Sequence, residues 1–591
     1  VFQGGDLSVQ KNIYANSYKL SWKDGHEVNI AGQVLFIEST LAVMPAHFTR
    51  RFLEKIANGT MTENTQLTFQ HVNNPQHTFP MKVKTFLKYK RLSMPNHDVE
   101  FVDFYELRAH RSLAKNFLTE HDLRYLDGSG AIMTLCDVAD NGTMLATPRE
   151  RFWSIPRINF VKQLHVSGVQ IERAMCYTAP TQPGDCGAPL CLMDSNHFSG
   201  RTCFGLHVAG DSAICKGFSS IITQEMIDKA KRELNTITDS FVEDIATRGV
   251  SFQTSDEPPF QNMCSFLPIG KVDKPNNLAR NSKLFRFQED LDFGPSRDLP
   301  APLAPVWRDG VLVYPMVNAV EPYSSPVFII ENEFTELAVH VAMRKFGELS
   351  HGLPRLVYTF EEACLGVPQH KMRSLPRGTS AGYPYTQQVV NGKKMFFGAD
   401  NEFEFDSDLC KELKTRVEHI ISSAAHGERL CHVFADFLKD ELRSPEKVEA
   451  VKTRLISSAP IDYTIAFRMY FGAFSSAMMR THTNSGMAPG ICTYTEWYTA
   501  ATFLKQKGDK VFDGDFKSFD ASEQPGLMAK LLEYINEWYG DGDKNAMIRR
   551  VLWEDLVHSR HIGGDGTNQC YIYQWNKSLP SGHPFTTCVN S

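Results

Sequence analysis

The sequence has no apolar run near the roughly 18 residues needed to cross a bilayer, and no two of its 13 cysteines are spaced Cys-x-x-Cys. The first absence excludes a transmembrane segment of its own. The second argues against zinc knuckles and a disulfide framework, and it points to a reducing compartment. Internal repeats and long low-complexity segments are also missing. The opening VFQGGDLSVQKN has no basic region followed by an apolar stretch, so it does not read as a signal peptide. Nor is there an excess of positive charge: residues 1–250 carry 26 basic and 26 acidic side chains, and the net charge of −6 sits in the remainder. Any nucleic-acid partner must therefore be argued from local clusters. What the chain does have is 591 residues, 42% hydrophobic and 22% charged, which suits a soluble globular protein. That length implies about two to four domains.

Up to about residue 220 the chain reads as short β-type runs broken by Gly, Pro, Asn and Asp. VLFI and LAVM lie close together at 34–44, and MKVKTFLKY (81–89) alternates, as do parts of DVEFVDFYEL (98–107). Many short strands with turn signals suggest an all-β barrel or sandwich. IITQEMIDKAKREL (221–234) places Ile222, Met226, Ile227, Ala230 and Leu234 on one helical face and closes this domain. Residues 236–275, with TSDEPPFQN, are polar and contain proline, as a linker would. Beyond about 275 helical patterns dominate, for example LMAKLLEYINEWY (527–539).

TQPGDCGAPL (181–190) sets Cys186 between glycines in a tight loop flanked by apolar runs. A turn with a small buried cysteine is the plain reading. A thiol nucleophile would need a base within hydrogen-bond reach and a group to orient that base. LAVMPAHF supplies His47, and NHDVEFVDF supplies Asp98, with Glu100 and Asp103 as alternatives on the same segment. The order His47, Asp98, Cys186 and the frame Gly184-Asp185-Cys186-Gly187 resemble the chymotrypsin-fold cysteine protease of picornavirus-like positive-strand RNA viruses. GLHVAGD (205–211) and Thr181 extend the resemblance over roughly residues 20–220. It implies that the N–H groups of Gly184 and Cys186 form an oxyanion hole, that His207 and Thr181 bind a substrate glutamine, and that no cofactor is needed. The family's basic RNA-binding stretch should fall near AKNFLTEHDL (114–123), where Lys115 is the one basic residue left.

A second constellation lies downstream. VFDGDFKSFDASEQP (511–525) carries Asp515 and Asp520, and LPSGHPFTTCVNS (579–591) carries Ser581, Thr586 and Asn590. Alone, the carboxylates read as a solvated strand edge running into a turn. KDELRSPEKVEAVKTRLI (439–456) contains Lys439, Arg443, Lys447, Lys452 and Arg454, nearly cancelled by four acids. Together with TSAGYPY (379–385), these stretches resemble the fingers and part of the palm of viral RNA-dependent RNA polymerases. The resemblance implies that Asp515 binds catalytic Mg2+ or Mn2+, and that Asp520 with Asn590 senses the ribose 2′-OH. It also implies that the basic residues meet triphosphate oxygens and RNA, with Ser581 and Thr586 in the same nucleotide-binding region. The family's Gly-Asp-Asp hairpin appears nowhere in the 591 residues; the expectation is peptide cleavage without primer extension from this stretch alone.

The expected fold is multidomain. An N-terminal all-β double barrel (1–235) is followed by a linker with a protease–polymerase junction (236–275), then by an α+β right-hand polymerase region with fingers and partial palm (276–591). The expected function is polyprotein processing after glutamine, fused to RNA synthesis. Expected partners are viral polyprotein substrates, viral RNA, nucleoside triphosphates and other replication proteins, at replication complexes in the host cytoplasm. Two rivals stand beside it: a protease fused to a non-catalytic RNA- or protein-binding scaffold, and a cellular trypsin-like protease with an unrelated helical extension. Gln253 or Gln261 is the expected junction, and Gln3 has the setting of an upstream one.

Overall fold

The computed structural model describes all residues except 1–3, 26, 73, 75–76, 137–149, 167–168, 195–197, 212–213, 256–265, 274–297, 331–332, 389–391, 399–401 and 565–568. The chain divides into two compact units: Val1–Thr236 with Pro326–Glu331, and Ile237–Ser325 with Asn332–Ser591.

The first unit contains two seven-stranded sheets in which every described pairing is antiparallel. One runs in the order Thr78–Lys82, Gln66–His71, Ser17–Asp24, Glu27–Glu38, Leu41–Pro45, Val99–Asp103, Arg91–Met94. Alternation along Ser17–Asp24 turns Tyr18, Leu20 and Trp22 into a core with Phe36, Phe69, Phe86 and Phe104. The second sheet runs Asn159–Val166, Val169–Thr178, Lys216–Ile221, Cys203–Asp211, Pro189–Leu192, Ala131–Cys136, Glu150–Ile155. Met133, Leu135, Met175, Tyr177, Leu190 and Phe204 form its core. The helix Gln224–Leu234 follows, capped by the Thr223 hydroxyl, which accepts from the Met226 N–H, and ended by Asn235 at φ 54°. Its Ile227, Ala230 and Leu234 are buried, as the 3.6-residue period requires. The alternating run 81–89 departs from expectation: the strand ends at Lys82, and Val83–Lys88 is helical. Val83 and Phe86, both buried, stand three apart, a spacing that suits a helical turn.

In the second unit a six-stranded sheet runs Phe252–Thr254, Leu267–Asp273, Gln569–Gln574, Arg560–Gly564, Phe434–Leu438, Leu455–Ser458. The helix Ile461–Arg480 is apolar nearly all round and sits in a core with the helices Asp408–Ala425, Pro525–Tyr539 and Asp543–Val557.

The expected linker is corrected here. Residues 237–255 carry the strand Thr238–Asp239, the helix Phe241–Thr247 and the strand Phe252–Thr254, all within the second unit. Distant partners hold them. Asp244 accepts two hydrogen bonds from Arg416, at 2.8 and 2.5 Å, and one from the Cys431 N–H at 2.8 Å. Arg248 donates to the Cys431 carbonyl at 2.7 Å and to Asp462 at 3.0 Å. A polar, aperiodic sequence looks solvated until its charges meet buried partners nearly 200 positions away. Gln253 therefore lies in an edge strand, paired with Lys271, rather than in a free segment. Gln3 and Gln261 fall outside the described residues.

Candidate functional site

His47 opens the helix His47–Ala57, directly after the strand Leu41–Pro45, so its backbone is fixed by two elements at once. Asp98 precedes the strand Val99–Asp103 with φ at 48°, a left-handed conformation unusual for any residue but glycine. Three contacts hold it there. The His47 Nδ1 lies 2.6 Å from Oδ2, the His47 N–H donates to Oδ1 at 3.0 Å, and Arg50 donates to Oδ1 at 2.8 Å. With Nδ1 turned to the carboxylate, Nε2 is the ring nitrogen left free of Asp98, and Cys186 is among the groups that shift the proton affinity of the ring. Burial alone would lower the His47 pKa, but the hydrogen bonds and charges of Asp98 and Cys186 outweigh it and raise it to about 9. That is the affinity for a proton that a base facing a thiol needs. The alternatives Glu100 and Asp103 serve the sheet instead. Glu100 accepts from Thr49, Ser93 and Arg91 at 2.6, 3.0 and 3.2 Å, and Asp103 accepts from Thr40 at 2.7 Å.

Cys186 sits in the loop between Thr178 and Pro189, half-buried, with its thiol 3.4 Å from the Val208 carbonyl. Gly184 and Gly187 have φ of 97° and 84°, which side chains rarely adopt. Among the described residues, the N–H groups of Gly184 and Cys186 donate to no protein acceptor, so two backbone donors are left in the loop that carries the sulfur. Thr181, in the same loop, and His207 lie close together around Gly210. A Cβ on Gly210 would fall 2.0 Å from Thr181 Oγ1 and 3.6 Å from His207 Cε1, so the bare glycine leaves the space between them open. Burial lowers the His207 pKa to about 4, and the Tyr177 hydroxyl lies 2.7 Å from its Nδ1. The ring is thus a neutral hydrogen-bonding group at pH 7. Sequence reasoning missed Arg50, Tyr177 and Gly210; of these, only Gly210 carried a signal, as the glycine three residues after His207.

In the second unit the structure joins Asp520 and Asn590, whose Nδ2 donates to Asp520 Oδ1 at 2.7 Å. Ser581 enters through its carbonyl, which accepts from the Ser457 N–H at 2.7 Å, and Thr586 opens the short helix Thr586–Val589. Lys439, Arg443 and Arg454 converge on one carboxylate, Glu441, with Lys439 at 3.2 Å and Arg443 at 3.0 Å. Hydrogen bonding from Arg454 leads the causes that hold the Glu441 pKa down at about 2. Lys447 and Lys452 are exposed. Two neighbours of Asp520 escaped the sequence: burial and the Asp520 charge raise Glu523 to about 7, and burial lowers Lys577 to about 8.

Asp515 departs from expectation. Residues 511–516 form no strand, and Asp515 is exposed beside Phe512 and Phe516, themselves 97% and 77% exposed. A strand needs a paired neighbour, and none of the described strands lies alongside this stretch. Among the described residues, no group of three or more His, Cys, Asp or Glu side chains is placed to hold a metal.

Comparison with known proteins bears on both units. Residues 300–591 match the sequence model of the family described as viral RNA-dependent RNA polymerase. This region belongs to that family. The replicase polyprotein of acute bee paralysis virus is 31% identical over 71% of the chain, and that of cricket paralysis virus is 31% identical over 70%. The replicase polyprotein of Drosophila C virus is 27% identical over 97% of the chain, so its similarity takes in the N-terminal β-rich unit as well. The chain spans only 22%, 24% and 34% of these three relatives. It is a picornavirus-like replicase precursor sequence, with an antiparallel β-rich unit ahead of its polymerase region.

Proposed function

We propose that the N-terminal unit of this precursor is a cysteine endopeptidase with a double-barrel fold that cuts polyprotein after glutamine, and that the polymerase region serves RNA-templated synthesis from nucleoside triphosphates. One observation carries the protease reading: His47, bonded to Asp98 and raised in proton affinity partly by Cys186, stands with two unpaired backbone donors and a neutral buried histidine. The steps follow from these groups. His47 takes the thiol proton, and the sulfur attacks the carbonyl carbon. The Gly184 and Cys186 N–H groups then stabilise the oxyanion. His47 returns the proton to the leaving amine, and water attacks the thioester by the same route. A neutral buried donor suits the amide of glutamine and leaves a glutamate carboxylate without a counter-charge. In the polymerase region, the Asp520–Asn590 pair supports a role in sensing the ribose hydroxyl.

The test uses matched peptides with glutamine or glutamate before the cut. Glutamine should be preferred by about 10² or more in kcat/KM, because the wrong group leaves a buried donor facing an uncompensated charge. Gly210→Val should abolish that preference by filling the space between Thr181 and His207. Equal cleavage of both peptides by the wild-type chain would refute the pocket.

The junction is testable too. Cutting at Gln253 requires its edge strand to detach from Leu267–Asp273. A Cβ at Gly270 would fall 2.1 Å from Phe252 Cε2 and 2.6 Å from the Gln253 carbonyl. Overpacking of this kind costs about 1–3 kcal/mol, so Gly270→Ala should raise the detached population roughly fivefold or more. Mass spectrometry should find slow cutting at Gln253 in the wild-type chain and faster cutting in the variant. Rapid cutting there in the wild type would show that the edge strand offers no protection.

A further inference from the structure

The nucleophile loop is held from the other sheet. Lys19 and Gln33 face each other across the strands Ser17–Asp24 and Glu27–Glu38, next to a register shift at Leu20/Ser21. Both reach the loop that carries Cys186. Lys19, 2% exposed as a residue, donates from its ammonium to the Gly184 carbonyl at 2.7 Å, and the Gln33 N–H donates to the Cys186 carbonyl at 2.7 Å. The fit behind these bonds is close. A Cβ on Gly187 would fall 1.9 Å from the Gln33 carbonyl oxygen, and one on Gly32 would fall 2.1 Å from the Cys186 carbonyl oxygen.

We infer that Lys19 is a positioning residue for the oxyanion hole: its buried ammonium fixes the Gly184 carbonyl so that the Gly184 and Cys186 N–H groups point at the same place. The inference rests on the protease reading and adds to it a residue outside the His47–Asp98–Cys186 set. Gly184 lies at φ 97°, and without a Cβ its flanking peptides rotate easily. The carbonyl that Lys19 holds belongs to the peptide between the two that carry the donors. Turning that central peptide would swing one donor out of line with the other. A charge-assisted hydrogen bond in a buried setting resists that rotation, and donors set in place beforehand need no reorganisation when the oxyanion forms. The Gln33 bond holds the far end of Cys186, but it is a neutral backbone bond and does not touch Gly184.

The test separates oxyanion stabilisation from general damage, because alkylation of a thiol by iodoacetamide passes through no oxyanion. In Lys19→Met, which keeps the length and loses the donor, kcat on a glutamine peptide should fall about 10²-fold, as for loss of one oxyanion donor. KM and the alkylation rate of Cys186 should stay within about threefold, well inside that loss. Lys19→Gln keeps a neutral donor on a shorter stem, so its kcat should lie between the two. The expected order of kcat is therefore wild type, Gln, Met, at nearly constant alkylation rate. Equal kcat in all three proteins overturns the inference. So does a parallel fall of kcat and alkylation in either variant, which would make Lys19 a packing residue. A wild-type chain that cleaves no glutamine peptide fails the protease reading itself, a result distinct from any difference among Lys19 variants.

Discussion

Cys186→Ala should remove peptide cleavage almost entirely, by about 10⁵–10⁶ in kcat, the scale of losing a covalent nucleophile. The alanine keeps the loop: both glycine conformations, the Gln33–Cys186 backbone bond and the Lys19–Gly184 bond are independent of the sulfur. The variant should therefore fold and still bind peptide, with only the bond-forming atom gone. Cys191→Ala and Cys203→Ala are the controls. Both residues are buried in the hydrophobic core, with their sulfurs 3.5 Å from each other. Their loss should lower stability by packing alone and leave kcat within a few-fold. Cleavage by Cys186→Ala at more than a thousandth of the wild-type rate would end the assignment of the nucleophile.

Asp98→Asn should lower kcat by up to about 10⁴, the scale seen when an orienting carboxylate in such a triad becomes an amide. Glu100→Gln and Asp103→Asn should change stability more than kcat, since their partners are Thr49, Ser93, Arg91 and Thr40 rather than His47. The Asp98 variant also has a pH signature. The fold raises the His47 pKa from its ordinary 6.5 to about 9, so the folded state binds this proton more tightly than the unfolded chain. That stabilisation is complete below pH 6.5 and is lost as pH rises through about 9. Removing the Asp98 charge lowers the His47 pKa. The melting temperature of the wild type should therefore fall relative to Asp98→Asn between pH 6.5 and 9. A constant difference across that window would show that Asp98 does not hold the His47 proton.

Much of this site can be read in the chain, because short-range chemistry writes short-range patterns. Two glycines around Asp185-Cys186 mark a loop with left-handed turns, and the loop has them. The Ile227, Ala230, Leu234 spacing marks a helix face, and that face is buried. The choice among Asp98, Glu100 and Asp103 could not be made that way. All three are acidic residues on one segment, and all three are buried. Only the meeting of that segment with the helix His47–Ala57, about 50 positions earlier in the chain, gives Asp98 the histidine and leaves the others to hydroxyls and Arg91.

The same division runs through the second unit. By charge alone the five cations within residues 439–454 read as a solvated face, and only the resemblance implied phosphate binding; the fold brings three of them to Glu441, a partner the local pattern did not single out. The stretch 237–255 read as a linker because it lacks periodicity, yet Asp244 and Arg248 lock it to Arg416, Cys431 and Asp462. By itself the sequence determined which local pieces exist: the nucleophile loop, the histidine strand, the closing helix, the Asp520 and Asn590 stretches. Those depend on backbone conformations and periods that span a few residues. The tertiary structure decided which pieces meet: Asp98 with His47, Gly210 between Thr181 and His207, Lys19 beneath Gly184. Such pairings join side chains tens to hundreds of positions apart, and strand register and packing set them, which no local pattern records.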